Sequence, residues 1–554
     1  STSSIVTDEG DVSFDVVLLQ SVESVFISTI ESAYTRRFQS LKASSSNRTV
    51  FNGNQFIIEV RMLRIASSQV VMNEQLICNE QVWFRVFSNL KLGDVMRLSY
   101  VSKELNTFVL NYLKTLKEIN FTEFVPLQLQ LSDESRQMFQ WVLQNCAGVR
   151  ELKEVISASY CLTSMDFTMM SNLCHLTVLD LSGCIICCDN FSDAFSQLIN
   201  LKHLNLSHVV PLEASATVHF EYNLKLSLRN FKNLESFIFT GSDFVQGWCL
   251  DALDCTALQK LSICPTSLNL REVINVIRRC EQLRDLQFLN RCNESIDATC
   301  LIELLQLKNV TLLKRLSIGY KVIENLHTLG NELWTTIRKF VNLNCIEMFC
   351  RDFVEMIFVE QIKVHFPNLH SLAIETSAIN SILILYLLRE GNFKELSLVN
   401  TRECRRILDG LVLNNRVYLN IRRLGLHNFY WKSSLSLHFD RAFPNLEELS
   451  ISGDRLTGET LLSIDKQFYE KLKVLHFGLM DLHLVRSVAV NRILGLCINL
   501  EKLALTDRPL TDGMARTLIE RCRKLKEVVI CRESHLCPVL FNALRRTFFL
   551  KYCN

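Results

Sequence analysis

The chain has 554 residues, with 60 Lys and Arg against 58 Asp and Glu, for a net charge of +2. So even a balance offers nothing to nucleic acid or an anionic membrane surface as a partner. Glycine (17) and proline (7) are sparse, so long disordered stretches are not expected beyond the start of the chain, and no run approaches the roughly 20 apolar residues of a membrane helix.

In chain order, residues 1–73 receive no functional assignment. Ser1 to Gly10 is polar, Phe14 to Arg37 has helical spacing, Ser44 to Thr49 reads as a loop, and Phe56 to Ile65 is a second apolar segment. Residues 74–113 predict a compact helical unit. Val82, Val86 and Phe87 fall on one helical stripe, followed by Leu90, and Leu92 falls in a short connection. Val95, Leu98, Val101 and Leu105 make a second stripe. Asp94 stands near the start of that second helix, where the dipole favours a carboxylate. About 40 residues build no large core, so these side chains must find burial on the rest of the chain or on a partner.

Next comes LKEINF, with Leu116, Ile119 and Phe121, and a degenerate echo at Val149 and Leu152. From Leu176 onward the phrase becomes regular: an anchor, then apolar residues three and five positions on. It reads Leu176-Leu179-Leu181, Leu201-Leu204-Leu206 and Leu234-Phe237-Phe239 in its first three appearances, and Leu500-Leu503-Leu505 and Leu525-Val528-Ile530 in its last two. The 14 units step by about 27 residues, inside the 20–29 of leucine-rich repeats. Positions two apart on a strand face the same way, so the last two apolar residues of each unit point into one core. Between phrases lie stretches of helical spacing such as Leu270 to Arg279. One strand and one helix cannot bury their apolar faces alone, whereas stacked units can. The expected fold is α/β: a right-handed horseshoe over residues 114–531 with a parallel concave sheet and helices outside, closed by a helical cap over 532–554.

There are 21 cysteines. Cys146, Cys255, Cys280, Cys497 and Cys522 each sit three residues before an anchor, where Phe366 and Phe443 stand in other units. Exchange of Cys for Phe marks a buried apolar site in which a free thiol packs as a small hydrophobe. An odd count with buried placement suits a reducing compartment, cytoplasmic or nuclear. The sequon at Asn205 lies inside a predicted strand, which argues against glycosylation there.

The last unit, LTDGMARTLIERCRKLKEVVI from Leu510, resembles the cysteine-containing class of leucine-rich repeat. FSNLKLGDVMRLSYVSKEL, from Phe87, is similar to the middle of an F-box: Val86-Phe87-Ser88-Asn89-Leu90 closes a first helix and Leu98 to Lys103 matches the second. Two positions depart from that pattern, with Cys78-Asn79 in place of Leu-Pro and Leu105 in place of a late Trp. Over residues 74–531 the resemblance implies a non-catalytic substrate receptor of an SCF-type cullin–RING ubiquitin ligase. The F-box would dock on a Skp-type adaptor, and through it on cullin and RING subunits. The repeats would hold a protein substrate near the conjugating enzyme, so that proximity supplies the rate gain. On this reading Cys78, Val82, Val86, Leu90, Leu92, Val95 and Leu98 form the adaptor surface or its support. The alternatives are a repeat scaffold with no ubiquitin role, its helical unit only a solenoid cap, and a small-ligand sensor. The sensor would need basic residues that converge on the inner face, and Lys260, Arg315 and Arg423 lie in separate units.

Residues between the core pairs line the concave face: among them Asp180, Asn205, Ser262, Gln287, Ser317, Glu347, Ser397, Ser450 and His476, mostly small or polar, as a solvated face requires. Leu289, Phe349 and Val399, two positions further on, are apolar, and with Glu347, Glu375 and Glu395 they suggest a substrate patch with an acidic rim. His476 on that face is read as a partner contact. No cofactor is implied. Cys184, Cys187 and Cys188, with His175, His203 and His208 nearby in sequence, do not supply the four close ligands of a zinc site. No phosphate loop, serine elbow or Cys/His pair marks a catalytic centre.

Overall fold

The computed structural model describes residues 80–552 except 89, 91, 121–132, 154–160, 188–190, 213–216, 242–246, 265–269, 290–294, 320–321, 325, 350–361, 363, 377–380, 401–406, 409–416, 432–438, 455, 481–484, 507–508, 532–533 and 535. The chain divides into two compact units, Ser1–Lys153 with Thr168–Leu176, and Glu154–Phe167 with Thr177–Asn554.

The described part of the first unit opens with helices α1 (Glu80–Ser88), α2 (Leu92–Ser99) and α3 (Lys103–Thr115). Ser102 caps α3 by accepting the Leu105 amide at 3.1 Å, which satisfies one of the orphan donors of a helix start. Both α1 and α2 pack on α3. Trp83 and Phe87, four apart on α1, are buried against Phe108 and Tyr112 of α3, with ring centroids 6.5 and 5.3 Å apart. After α3 come strand β1 (Glu118–Asn120), helix α4 (Asp133–Asn145) and strand β2 (Glu151–Lys153). The two strands pair in parallel, Ile119 opposite Leu152, both buried, so the two repeat-like phrases before the regular array are real strands.

The second unit carries one parallel sheet of 16 strands. Its main ladder runs through β3 (Val178–Asp180), β4 (His203–Asn205), β5 (Ser236–Phe239), β6 (Lys260–Ile263) and β7 (Asp285–Leu289). It continues through β8 (Arg315–Gly319), β9 (Cys345–Phe349), β10 (Ser371–Thr376), β11 (Glu395–Asn400) and β12 (Arg423–Trp431). It ends with β13 (Glu448–Asp454), β14 (Val474–Met480), β15 (Lys502–Leu505), β16 (Glu527–Ile530) and β17 (Phe549–Tyr552). Strands β3–β16 each come from one unit of the phrase and pair with the next, their core residues facing each other as in Leu286↔Leu316 and Ile346↔Leu372. The fold is a leucine-rich-repeat solenoid. Anchor and core residues of the units are buried throughout, as with Leu201, Leu204 and Leu206, at roughly 2 kcal/mol per side chain.

Helices fill the intervals. In Leu270–Arg279, Val273, Ile274, Val276 and Ile277 are buried, four residues on one stripe. Thr511 caps Asp512–Arg521 by accepting the Met514 amide. All five predicted cysteine positions are buried, and burial pushes the thiols of Cys146 and Cys522 up to about 12 and about 11. They pack as hydrophobes. Asparagine staples neighbouring units, a feature that sequence reasoning missed. Asn233, Asn368, Asn445 and Asn499 each stand just before an anchor and donate to a carbonyl of the preceding unit, at Ile199, Val341, Leu419 and Glu470.

Two differences from expectation concern the ends of elements. Leu92, placed in a connection, is the buried first residue of α2. The segment from 532 onward, expected as a helical cap, carries helix Pro538–Thr547 and then β17, which adds a further parallel strand beside β16. Cys187 is joined to Cys161, so the Cys184-x-x-Cys187 pair is split between a buried free thiol and a disulfide. Asn205 lies in β4 as expected. Among the described residues, no helix is long and apolar enough to cross a membrane.

Candidate functional site

Two surfaces come from the predicted site residues, one in each unit. In the first unit, α1 has an inward stripe, Trp83 and Phe87, and an outward one. Val82 and Val86, four apart, are half-buried, and so is Leu90 at the turn that follows. Leu92, Val95 and Leu98 are buried beside Met96 and support the fold of α2 from below. Tyr100, at the end of α2, is exposed. The structure therefore sorts the predicted residues into a partly open apolar edge (Val82, Val86, Leu90) and its support (Leu92, Val95, Leu98). Cys78 lies outside the described residues.

The second surface is the face of the sheet opposite the core. Strand register brings Phe349, Glu375 and Val399 side by side in one row, all half-buried, with Gly319 before them and His427 after. Leu289 occupies the same row on β7, beyond Gly319. Glu347 stands two residues before Phe349 on the same face, and its carboxylate pairs with Arg315 at 2.5 Å. Glu395 pairs with Arg423 at 2.9 Å. The expected acidic rim is thus neutralised at two of its three members.

The expectation of a solvated face fails at β6–β8. Ser262, Gln287 and Ser317 are all buried. The cause is reach: the Arg315 guanidinium starts two residues before Ser317 and bridges to Glu347, which lies directly opposite Ser317 on the next strand. The small side chain is covered by the long ones around it. Gln287 meanwhile donates to both oxygens of Asp285, at 3.0 and 3.2 Å, and burial raises the Asp285 carboxyl. Lys260 stands 4.0 Å from the same carboxylate. The basic residues Lys260, Arg315 and Arg423 each face acidic partners, Arg423 being 2.9 Å from both Glu395 and Glu448, so they do not converge on one ligand.

His476 proves to be part of a larger group. Its Nδ1 lies 2.7 Å from the Ser450 hydroxyl and its Nε2 lies 3.3 Å from that of Thr506. The His427 ring lies alongside, with centroids 5.9 Å apart. Burial, and secondarily the charge of His476, holds His427 down at about 4, so it is neutral near pH 7. Sequence reasoning named His476 alone. The signal for the rest was a chain of His427, Asn428, Ser452 and Gly453 in two neighbouring units, residue types that accompany irregular strands.

No model of a protein family matches this sequence, and no curated protein does. Solved structures do. The yeast Rad7–Elc1 complex is 15% identical over 65% of this chain and 86% of that one, with a TM-score of 0.40. A TLR13–ssRNA13 complex is 18% identical over 74% of this chain and 57% of that one, at 0.35, so the chain spans little more than half of the TLR13 chain. An internalin from Listeria monocytogenes is 12% identical over 80% and 89%, at 0.22.

Proposed function

We propose that the chain is the substrate-recognition subunit of an SCF-type cullin–RING ubiquitin ligase, with the helical unit of residues 74–113 acting as its F-box and the repeats receiving a protein substrate. One observation carries the reading. A three-helix unit with its own aromatic core keeps Val82 and Val86, one helical turn apart, and Leu90, just past the end of α1, half-buried at its surface, an apolar edge of the kind a partner helix fills. The segment that follows, with its matched Leu98 to Lys103, is the stretch that resembles the F-box. On this reading the chain performs no chemistry, and its partners are a Skp-type adaptor, then cullin and RING subunits, in the cytoplasm or nucleus.

The test is a pull-down of adaptor and cullin with the full chain and with Val86→Asp/Leu90→Asp. Two carboxylates on a face that must be desolvated cost several kcal/mol, so adaptor recovery should fall at least about a hundredfold. Thermal unfolding of the repeats should be unchanged. Equal recovery by variant and wild type refutes docking through this face, and absence of adaptor and cullin from the wild-type pull-down leaves the scaffold reading in its place.

A further inference from the structure

The residue that follows each anchor belongs to a ladder along one edge of the sheet. Lys314 donates its amide to the Arg284 carbonyl at 2.7 Å, Asn344 to that of Lys314 at 2.8 Å, and His370 to that of Asn344 at 2.9 Å. Lys394 donates to His370 and Arg422 to Lys394, each at 2.8 Å. These six residues stand immediately before β7 to β12, so neighbours along the ladder are one strand spacing, about 4.8 Å, apart.

Charge along the ladder is uneven. Towards both ends acids alternate with bases and pair with them: Lys202 with Glu235 at 2.7 Å, Arg422 with Glu447 at 2.6 Å, Lys473 with Glu447 at 2.8 Å and Lys526 with Glu501 at 2.8 Å. From Arg284 to Lys394 the ladder holds no acid. Among the described residues, Arg284, Lys314 and Lys394 pair with none, while Asp285, Glu347 and Glu395 of the adjoining strands are already faced by Lys260, Arg315 and Arg423. The turns that lead into the ladder carry the same excess. Segments 278–284, 308–314, 338–344, 364–370 and 388–394 hold nine Lys or Arg against two Glu. Cations of the last helical turns, such as Arg278, Arg279 and Arg389, answer the helix dipole. Arg284, Lys314 and Lys394 lie past the anchors, where the dipole does not account for them.

Apolar side chains are exposed on the same turns. Leu312, Val341, Val364 and Leu419 are all open to solvent, Val364 to 78%. We propose that this edge, from Arg284 to Arg422, docks an acidic segment of a protein partner that carries apolar side chains among its Asp or Glu. The occupant follows from the ladder's own pairing. Where the ladder has an acid its cations are paired, and a partner's carboxylates supply what the middle lacks. The aliphatic groups between the cations separate a protein from other polyanions. A single nucleic-acid strand calls for exposed aromatic rings on which bases stack. A lipid surface calls for Trp or Phe at the interface. The rings of these turns, Phe340, Phe366 and Phe393, are buried, and the exposed apolar groups there are valine and leucine.

The inference rests on the reading that the repeats receive a protein partner and does not involve the adaptor. The full chain is titrated into fluorescently labelled oligo(Glu-Glu-Leu), oligo(Gln-Gln-Leu), oligo(Glu-Glu-Ser) and oligodeoxythymidylate, and its sedimentation with phosphatidylserine–phosphatidylcholine vesicles is measured beside them. Oligo(Glu-Glu-Leu) should bind best. Lys314→Glu/Lys394→Glu should weaken it at least about tenfold, and Val341→Ser/Val364→Ser about threefold. Lys202→Glu/Lys526→Glu changes the net charge equally at the paired ends of the ladder and should shift binding less than about twofold. Equal losses in the two lysine pairs would reduce the effect to net charge and overturn the site. Absence of binding, or equal binding of oligo(Gln-Gln-Leu), overturns the proposal. Equal binding of oligo(Glu-Glu-Ser) overturns the apolar part of it, and tighter binding of oligodeoxythymidylate or of the vesicles overturns the choice of a protein segment. Each of these failures leaves the adaptor pull-down intact, so the two readings fail separately.

Discussion

Strands β6–β9 and β12–β15 belong to one sheet and obey one core rule, yet their opposite faces are built differently. The first stretch is straight in register and closed by long charged side chains: Lys260, Asp285, Arg315 and Glu347 lie across buried Ser262, Gln287 and Ser317. The second is bulged, and its face presents neutral groups, His427, Ser450 and His476, around Ser452. In a repeat array the core fixes the strand spacing and leaves the other face free to vary. Charge pairs seal that face where the register is regular, while an extra residue in a strand opens a different arrangement.

The largest effect should come from removing the bulge. A Cβ on Gly453 would stand 1.9 Å from the Phe429 carbonyl oxygen, and its φ of 138° suits glycine. Gly453→Ala should therefore cost about 3 kcal/mol, from a backbone clash with no side chain able to yield. At Gly425 the nearest atoms to an added Cβ are side-chain atoms, the Ser397 hydroxyl and Cβ and the His427 ring, with no backbone atom among them, so Gly425→Ala should cost less, about 1 kcal/mol. Urea unfolding of both variants checks the order. Equal losses would mean that the bulge is not a rigid feature.

The regular stretch was far more legible from sequence than the bulged one. Period and apolar spacing placed the strands and their buried residues, because Leu286, Leu316 and Ile346 answer to nothing but the core. Reading alternate residues as solvated failed at Ser317, because alternation says which way a side chain points and not what the neighbouring strand lays over it. His427 escaped notice because a fixed phrase cannot count the extra residue at Asn428. The Cys161–Cys187 pair was within reach: a separation of 26 is about one repeat, which sets the two residues at matching places in adjacent units.

A smaller effect follows from His427. Its ordinary value is 6.5 and the folded value is about 4, lowered by burial and then by His476. Between those values the unfolded chain binds the proton and the folded chain does not, so stability rises with pH. The contribution is fully present above about pH 6.5 and is lost as pH falls towards 4, on the order of 2 kcal/mol. The difference in unfolding free energy between wild type and His427→Gln, followed from about pH 7.5 to 4.5, should change by that amount. A constant difference would place His427 in ordinary contact with water and remove the contrast with the charged stretch.

The smallest effect should be at the seal itself. Arg315 is 40% exposed in its pair with Glu347, which is 19% exposed, so solvent screens part of the attraction and Arg315→Gln should cost only about 1 kcal/mol. Most of that loss reflects the half-buried Glu347 left without its cation, and Glu347→Gln on the same background should recover it. Lys502→Gln, in the longer Lys502–Glu527 pair at 3.1 Å, should stay within about 0.5 kcal/mol. The informative readout is hydrogen exchange around Ser317, whose hydroxyl has no hydrogen-bond partner among the described residues. If Arg315 and Glu347 form the cover, exchange there quickens in Arg315→Gln beyond what the lost stability accounts for, while strands β12–β15 are unmoved. Uniform quickening along the sheet would show that the pair holds the register and does not act as a lid over a buried polar group.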